Sequence, residues 1–304
     1  MARVAFLLHH VHAHAVEVAR AATTWLREQG HEVRLPEADA HHAGLAELSC
    51  DAGGLTAGLD LAVSLGGDGT MLRTVDLVGD DQVPVLGVNL GHLGYLAEVE
   101  ADDVHTALAR FFAGEHEIQE RMRLRVEVES GAAAAPVAAG EAGEAGRAIT
   151  GAGHRSFPAL NEAVLGKTPS GQIVGVKVSV DGEEFTTYRA DGIIVATPTG
   201  STAYAWSAGG PIVAPAHPAL LLTPVAPHTV FDRSLVLPPT ACIRLEVAAD
   251  RPASLSVDGR SEGLLAPGDA MVCTAAEHPA LMVTFGRRGF LGILKAKFGL
   301  NGTA

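Results

Sequence analysis

Cysteine is scarce in this chain. Only Cys50, Cys242 and Cys273 occur among 304 residues, and they are far apart and odd in number. This pattern fits neither a disulfide framework nor the ligand spacing of a zinc site. The sequence therefore argues against a disulfide-stabilised secreted domain, and it predicts a protein of the reducing cytoplasm.

Basic residues are also few, and long apolar runs are missing. Lys and Arg number 22 against 35 Asp and Glu, so the net charge is −13. Nucleic-acid binding depends on neutralising many phosphates, and we therefore expect neither DNA nor RNA as a partner. The apolar run at residues 4–8 is too short for a signal sequence or a membrane span, so we expect no membrane association.

The remaining composition is that of a globular protein, with 47% apolar and 19% charged residues. A length of 304 residues leaves room for two domains that each bury a core. We expect an α/β, Rossmann-like domain over residues 1–118, a β-rich domain over residues 119–284, and a separate C-terminal segment over residues 285–304.

Strand and helix patterns alternate in the first third of the chain, which predicts a parallel sheet. Ligands bind such sheets at the carboxyl ends of the strands, where Asp68 and Asn89 both fall. The expected strands are residues 3–8, 31–35, 59–65 and 83–88, and the expected helices are residues 14–29, 69–77 and 102–113.

Beyond residue 120 the apolar residues alternate with a period of two, as in residues 124–129 and 174–180, which predicts an antiparallel β domain. Asp181-Gly182 and Asp258-Gly259 are hairpin-turn signals within it. Residues 130–153 are rich in Gly and Ala and show no apolar periodicity. We expect a flexible insertion there, whose deletion leaves folding largely intact.

Two Gly-rich segments carry the chemistry. The first, Gly66 to Thr70, follows a predicted buried strand, and its backbone N–H groups can approach phosphate oxygens. The second, at residues 191–204, contains a predicted strand that runs into a turn dense in Thr, Ser, Pro and Gly. We expect a helix to begin near Ser201 and to point its positive end at the same anions. Together the two segments indicate a phosphoryl-transfer site.

Several motifs in order give the chain a family resemblance. They are Gly-Gly-Asp-Gly-Thr at 66–70, Asn-Leu-Gly-His-Leu-Gly-Tyr-Leu at 89–96, Asn161-Glu162, the 191–213 segment and Ser-Val-Asp-Gly at 256–259. From about residue 60 to 290 the chain resembles the NAD kinase family. The first motif alone is shared with diacylglycerol and sphingosine kinases, whereas the 191–213 segment is absent from those enzymes.

The resemblance implies an ATP- and Mg²⁺-dependent phosphorylation of NAD at the 2′-hydroxyl of its adenosine ribose, with Asp68 as the base. It also implies a homodimer or homotetramer, with the active site in a cleft between the domains and the C-terminal segment packed on the first domain. The expected NAD-binding residues are Gly69, Asn161, Glu162, Asp191, Thr202, Ala203, Tyr204 and Ser207. The expected ATP- or phosphate-binding residues are Gly66, Gly67, Thr70, Asn89, Thr199, Gly200 and Ser201.

Five of these residues also have an ordinary structural interpretation. Asp68 is placed where a helix N-cap would be, and Asn161-Glu162 resembles a polar pair on an exposed strand edge. Asp191 precedes a glycine as turn residues do, and an aromatic such as Tyr204 is most often a core residue.

Two further patterns resemble functional motifs, but we assign no function to them. Gly166-Lys167-Thr168 resembles the end of a Walker A loop, but position 161 holds Asn where that loop needs Gly. The histidines at 9, 10, 12 and 14 are more consistent with a solvated loop than with a metal site. A lipid kinase and a non-catalytic NAD(P) sensor remain as alternative functions. The sequence leaves open polyphosphate as donor, NADH as substrate, inhibition by NADP and the subunit number.

Overall fold

The computed structural model describes residues 1–9, 13–91, 94–130, 149, 155–168, 171–248, 250–286 and 289–300. The chain divides into two compact units. The first comprises Met1–Arg121 and His278–Ala304, and the second comprises Met122–Glu277. No helix among the described residues is long and apolar enough to cross a membrane.

The first unit is an α/β domain, as predicted; strands and helices are numbered in chain order. Its strands are β1 (Arg3–Leu8), β2 (Glu32–Pro36), β3 (Ser49–Cys50), β4 (Leu61–Gly66), β5 (Val85–Asn89), β6 (Val99–Glu100), β7 (Glu117–Arg121) and β20 (Ala280–Thr284). Its helices are α1 (Ala13–Glu28), α2 (Glu37–Ala43), α3 (Ala52–Thr56), α4 (Asp68–Val78), α5 (Val104–Phe112) and α7 (Phe290–Lys297).

The sheet of this unit runs β3-β2-β1-β4-β5-β20-β7, with β6 on β5. Every pair is parallel except β20 with β7. All six residues of β4 are buried, which is typical of a parallel strand covered on both faces. The carboxyl ends of β4 and β5 lie side by side, because Gly66 is the register partner of Asn89.

Two features of this unit differ from the sequence prediction. Strand β20, which the prediction assigned to the β-rich domain, completes the first sheet between β5 and β7. An isolated apolar run does not reveal which sheet it joins, since any sheet edge offers the same backbone groups. The short helices α2 and α3 were not predicted, because segments of 7 and 5 residues show too little periodicity.

The second unit contains two six-stranded sheets with antiparallel pairing, and the predicted β domain is confirmed. One sheet runs β15-β14-β13-β10-β17-β18 and the other β12-β11-β16-β19-β8-β9. The strands are β8 (Leu124–Glu129), β9 (Arg155–Ala159), β10 (Glu162–Gly166), β11 (Val174–Val180), β12 (Glu183–Ala190), β13 (Gly192–Ala196), β14 (Leu220–Val225), β15 (Leu235–Leu237), β16 (Ile243–Val247), β17 (Ala253–Val257), β18 (Arg260–Leu265) and β19 (Ala270–Ala275), and the helix is α6 (Tyr204–Ser207).

Alternate residues of both sheets form one apolar core, which includes Leu165, Val176, Ile193 and Leu245. The sheet that contains β10 and β13 is also buried on its opposite face, where Ile194 and Ala196 pack with Ala205 of α6. This contact places α6 beside the beginning of β10, because Glu162 is the register partner of Ala196.

One residue of the predicted insertion belongs to the core. Ile149 is buried in the apolar cluster of the second unit, and its N–H donates to the carbonyl of Leu264 at 3.0 Å. The prediction of a flexible insertion over residues 130–153 is therefore wrong at this position, because a single apolar residue among glycines and alanines has no periodicity to mark it. Residues 131–148 and 150–154 lie outside the described residues.

Candidate functional site

The Gly66–Thr70 segment is the turn from β4 into α4. Gly66 ends the strand, and a Cβ there would lie 2.3 Å from Thr70 Oγ1, so only glycine fits. Gly67 and Gly69 face open space, with no atom within 4 Å of an added Cβ. The first N–H groups of α4 therefore lie at the carboxyl end of the sheet with room beside them, which is an arrangement that suits an anion.

Asp68 does not cap α4. It is the first residue of the helix, and the N-cap, Gly67, forms no side-chain capping bond. Both carboxylate oxygens turn instead to the segment after β5, where Oδ2 accepts the N–H of Tyr95 at 3.0 Å and Oδ1 accepts the N–H of Leu96 at 3.1 Å. The helix-cap interpretation is therefore wrong, and the carboxylate is held in one orientation by two backbone donors.

Asn89 lies next to this turn but is engaged within the protein. Its side chain is buried, its Nδ2 donates to Glu100 Oε2 at 3.0 Å, and its Oδ1 accepts the N–H of Gly91 at 3.3 Å. In the free protein its amide thus fixes the chain after β5, and a direct phosphate contact stays a prediction.

In the second unit, Asn161 and Glu162 form the turn between β9 and β10. The side-chain amide of Asn161 has no hydrogen bond to another described residue. Glu162 is only 7% exposed, and its Oε2 is buried with no partner among the described residues. This pair is therefore not an exposed strand edge, and it offers two polar side chains whose hydrogen-bonding capacity is unused.

Glu162 is also electrostatically unusual. Burial, reinforced by the negative charge of Asp258, raises its pKa to about 8, and one backbone hydrogen bond from Tyr204 acts in the opposite direction. Glu162 is consequently a neutral acid near pH 7, able to donate as well as accept a hydrogen bond.

The segment after β13 is a turn rather than a long helix. A 3₁₀ turn covers Gly200–Thr202, and α6 begins only at Tyr204 and has four residues. The α-helix expected to begin near Ser201 therefore begins three residues later, because the buried hydroxyl of Ser201 bonds the backbone of Pro198 and Val213. A helix of four residues has only a small dipole, so it contributes little to the attraction of an anion.

The hydroxyls of Ser201 and Thr202 are engaged with backbone carbonyl groups. Ser201 is fully buried and Thr199 nearly so, while Thr202 Oγ1 donates to the carbonyl of Thr199 at 3.3 Å. Gly200 packs directly on the preceding strand connection, since a Cβ there would lie 2.1 Å from the carbonyl oxygen of Asn161. Phosphate contacts from Thr199, Gly200 and Ser201 remain predictions.

Tyr204 and Ser207 lie one helical turn apart on α6 and are both exposed. Tyr204 is 45% exposed, so the core interpretation of this aromatic is wrong. Ala203 immediately precedes α6 in a non-helical conformation. The two exposed side chains form a surface next to Glu162, which accepts the N–H of Tyr204.

Asp191 connects the two sheets of the second unit, between β12 and β13. Its carboxylate accepts a hydrogen bond from Lys167 Nζ at 2.7 Å. In the sequence, Lys167 belongs only to the incomplete Walker A pattern. The pairing of Gly166 with Gly192 in the sheet is what brings Lys167 next to Asp191. Asp191 and Glu162 lie at opposite ends of the β10–β13 pair, roughly 15 Å apart at about 3.3 Å per residue.

The histidine cluster is only partly described, because His10 and His12 lie outside the described residues. His9 donates its N–H to the carbonyl of Leu65, and His14 Nδ1 lies 3.2 Å from Glu17 Oε2. Within the described part of the chain, no three His, Cys, Asp or Glu side chains are grouped as metal ligands.

Two family models match the chain. The ATP-NAD kinase N-terminal domain matches residues 4–116, and the ATP-NAD kinase C-terminal domain matches residues 160–285. Among relatives of similar sequence, the NAD kinase of Syntrophotalea carbinolica is 37% identical over 289 residues, and the match covers 95% of both chains. The NAD kinase of Symbiobacterium thermophilum is 37% identical over 304 residues and covers 100% of both.

Solved structures show the same similarity. The yeast NADH kinase complexed with NADH superposes with a TM-score of 0.87 at 25% identity, covering 100% of this chain and 89% of the yeast chain. The NAD kinase from Archaeoglobus fulgidus in complex with ATP gives a TM-score of 0.68 at 25% identity, covering 99% of this chain and 100% of the other.

Proposed function

Because this chain belongs to the NAD kinase family, we propose that it transfers the γ-phosphoryl group of ATP to the 2′-hydroxyl of the adenosine ribose of NAD, with Asp68 as the base. The orientation of Asp68 carries this proposal. Each of its oxygens accepts one backbone N–H and keeps a further lone pair, so the carboxylate can take a proton without losing its anchors.

In the proposed step, the 2′-oxygen forms a bond to the γ-phosphorus while its proton passes to Asp68. The bond between the γ-phosphorus and the β–γ bridging oxygen breaks, and ADP leaves with that electron pair. Open space at Gly67 and Gly69, at the beginning of α4, supports phosphate binding there, because the first turn of a helix directs its N–H groups toward a bound anion. Mg²⁺ belongs to the proposal as the partner of ATP, since phosphate oxygens are ligands of its preferred type, and when bound it would offset phosphate charge.

Asn161 and Glu162 supply the proposed contacts to NAD, because their polar groups have unused capacity beside the exposed Tyr204 and Ser207. Asp191 is assigned to the same dinucleotide. Asp191 and Glu162 lie at opposite ends of the β10–β13 pair, so they contact the same dinucleotide only if it is extended or if they come from two copies of the chain. We include a homodimer or homotetramer in the proposal for the second case.

We also assign the protein to the cytoplasm, in keeping with its free thiols. The lipid-kinase alternative is not favoured. The C-terminal family model matches residues 160–285, which include the 191–213 segment that diacylglycerol and sphingosine kinases lack. A non-catalytic sensor would bind NAD without turnover.

The test is NADP formation from NAD by the purified protein with ATP and Mg²⁺, in wild type and in Asp68→Asn. We expect the substitution to lower kcat about 10²–10⁴-fold, the usual contribution of a general base. Calorimetry should show NAD binding retained. The matched control is Asp76→Asn, two turns further along α4, which should keep wild-type turnover.

Near-normal kcat in Asp68→Asn would rule out the base assignment. A wild type that binds NAD but forms no NADP would favour the sensor instead.

A further inference from the structure

The backbone of the turn Leu160–Glu162 is held from outside the turn. Its three N–H groups all donate to one carboxylate, that of Asp258. Leu160 donates to Oδ2 at 2.8 Å, and Asn161 and Glu162 donate to Oδ1 at 2.8 and 3.0 Å. A carboxylate that accepts three N–H bonds is a strong anchor, because charge-assisted hydrogen bonds are about twice as strong as neutral ones.

The three carbonyl groups of the same turn are also satisfied. Thr197 Oγ1 donates to Leu160 O at 2.6 Å, and Thr197 N–H donates to Asn161 O at 2.9 Å. The N–H of Asp258 donates to Glu162 O at 2.9 Å. Two residues distant in sequence therefore satisfy every backbone polar group of the turn.

Asp258 reaches the turn because of its own position in a hairpin. It begins the two-residue connection between β17 and β18, with φ +47°, and Gly259 follows with φ +77°. This is the geometry that an Asp-Gly pair favours. Strand β17 pairs with β10, so the tip of the hairpin lies over the beginning of β10.

We propose that Asp258, together with Thr197, is a positioning residue that orients Asn161 and Glu162 for the dinucleotide. This inference rests on the proposed role of those two side chains. With the turn backbone fully paired, the Asn161 amide and Glu162 Oε2 are the groups left to bind a ligand. Thr197 has no exposed surface, and its hydroxyl also accepts the N–H of Gly200 at 3.1 Å, so it acts on a ligand only through the backbone that it holds.

Asp258 also acts on Glu162 through charge. Burial raises the pKa of both carboxyl groups, but three N–H donors oppose this shift at Asp258 and one opposes it at Glu162, so Glu162 holds the proton of the pair more tightly. Arg260 also faces Asp258, and its positive charge opposes the effect of burial on the pKa of Asp258. An uncharged residue at 258 would therefore lower the pKa of Glu162 from about 8.

The test compares Asp258→Asn with Asp181→Asn. Asn keeps the turn preference, but it offers one carbonyl oxygen and sets an amide donor against the backbone donors. Asp181 is a matched control, since it also begins an Asp-Gly hairpin of this unit, with φ +52°, and accepts a single backbone N–H, from Cys242 at 2.8 Å.

For Asp258→Asn we expect KM and Kd for NAD to rise about 10- to 100-fold, the effect of losing hydrogen bonds to a charged group. KM for ATP should stay within about twofold, since the ATP-binding groups are not part of this turn. The pH at which NAD affinity changes should move downward, which loss of packing alone would not cause. Asp181→Asn should retain wild-type values for all of these.

A second variant, Thr197→Val, keeps the shape of the side chain and removes the hydroxyl, and it should raise the same KM. Unchanged NAD affinity and pH dependence in folded Asp258→Asn would overturn the proposal. If neither variant folds, the test is the rate of hydrogen exchange at the backbone amides of residues 160–162 in the wild type. Slow exchange at these amides would support the proposal, and exchange as fast as in an exposed loop would overturn it.

Calorimetric Kd values keep this test separate from the proposed function. A wild type that forms no NADP would contradict the proposed activity, whereas the effect of Asp258→Asn on NAD binding would still be measured.

Discussion

At the scale of single residues, the two neighbouring carboxyl groups of the second unit have different roles because they have different hydrogen-bond partners. Burial raises the pKa of Asp258, and the three backbone N–H groups that it accepts oppose this shift, whereas Glu162 keeps a buried oxygen without a described partner. Burial penalises the charged form of Glu162, and the charge of Asp258 adds to this penalty. The result is an acid that titrates within the range of enzyme assays.

Glu162 should make the stability of the protein depend on pH. Its pKa is raised from 4.5 to about 8 on folding, so its contribution is present in full below pH 4.5 and is lost as the pH rises to about 8. Between about pH 5 and about pH 9 we expect the wild type to lose up to about 4 kcal/mol in free energy of unfolding relative to Glu162→Gln.

Urea denaturation of both proteins at the two pH values measures this difference. The control is Glu183→Gln, at the exposed start of β12, which should follow the wild type. Parallel pH dependence of wild type and Glu162→Gln would contradict a neutral Glu162.

At the scale of elements, the orientation of Asp68 depends on a close approach between α4 and the segment after β5. Asp68 accepts the N–H groups of Tyr95 and Leu96, and Gly94 lies directly against the same carboxylate. A Cβ at position 94 would lie 2.2 Å from Asp68 Oδ1. The segment is therefore able to hold the carboxylate only because it has no side chain at this point.

Gly94→Ala should displace the Asp68 carboxylate and lower kcat about tenfold or more, because small displacements of a catalytic group are costly. Gly91→Ala is the matched control, since an added Cβ there has no neighbour within 4 Å. Steady-state kinetics with thermal melts compares the two variants.

Equal kcat in both variants, with similar melting temperatures, would show that the contact at Gly94 does not orient Asp68.

At the scale of the whole molecule, the long connection between β8 and β9 contributes Ile149 to the core. Val128 and Arg155 are register partners across these strands, so a short connection can join them. The entropic cost of closing a loop depends only weakly on the length of the loop. We therefore expect deletion of residues 133–146 to change the melting temperature by no more than a few degrees and to leave kcat unaltered.

The same deletion combined with Ile149→Ala should be less stable by about 2–4 kcal/mol, the usual effect of emptying a buried isoleucine site. Differential scanning calorimetry of both proteins measures this. A large loss of stability from the deletion alone would show that these residues support the fold, and no effect of Ile149→Ala would remove Ile149 from the core.

Much of the fold was predictable because long periodic segments reveal their type locally. The parallel strands ending at Gly66 and Asn89, the alternating strands of the second unit and the Asp-Gly hairpins all follow from apolar spacing and turn chemistry. The placement of β20 and the burial of Ile149 were not predictable, because each depends on a partner distant in sequence.

The site divides in the same way. The sequence by itself determined which residue types are present, namely a carboxylate among glycines, an Asn-Glu pair and a turn rich in Thr and Ser, and their order was enough to indicate the family. Only the tertiary structure decided their contacts: Asp68 with Tyr95 and Leu96, Lys167 with Asp191, and Asp258 with the Leu160–Glu162 turn. Local propensity acts over a few residues, whereas these hydrogen bonds join positions brought together by strand register and helix packing, which no local pattern encodes.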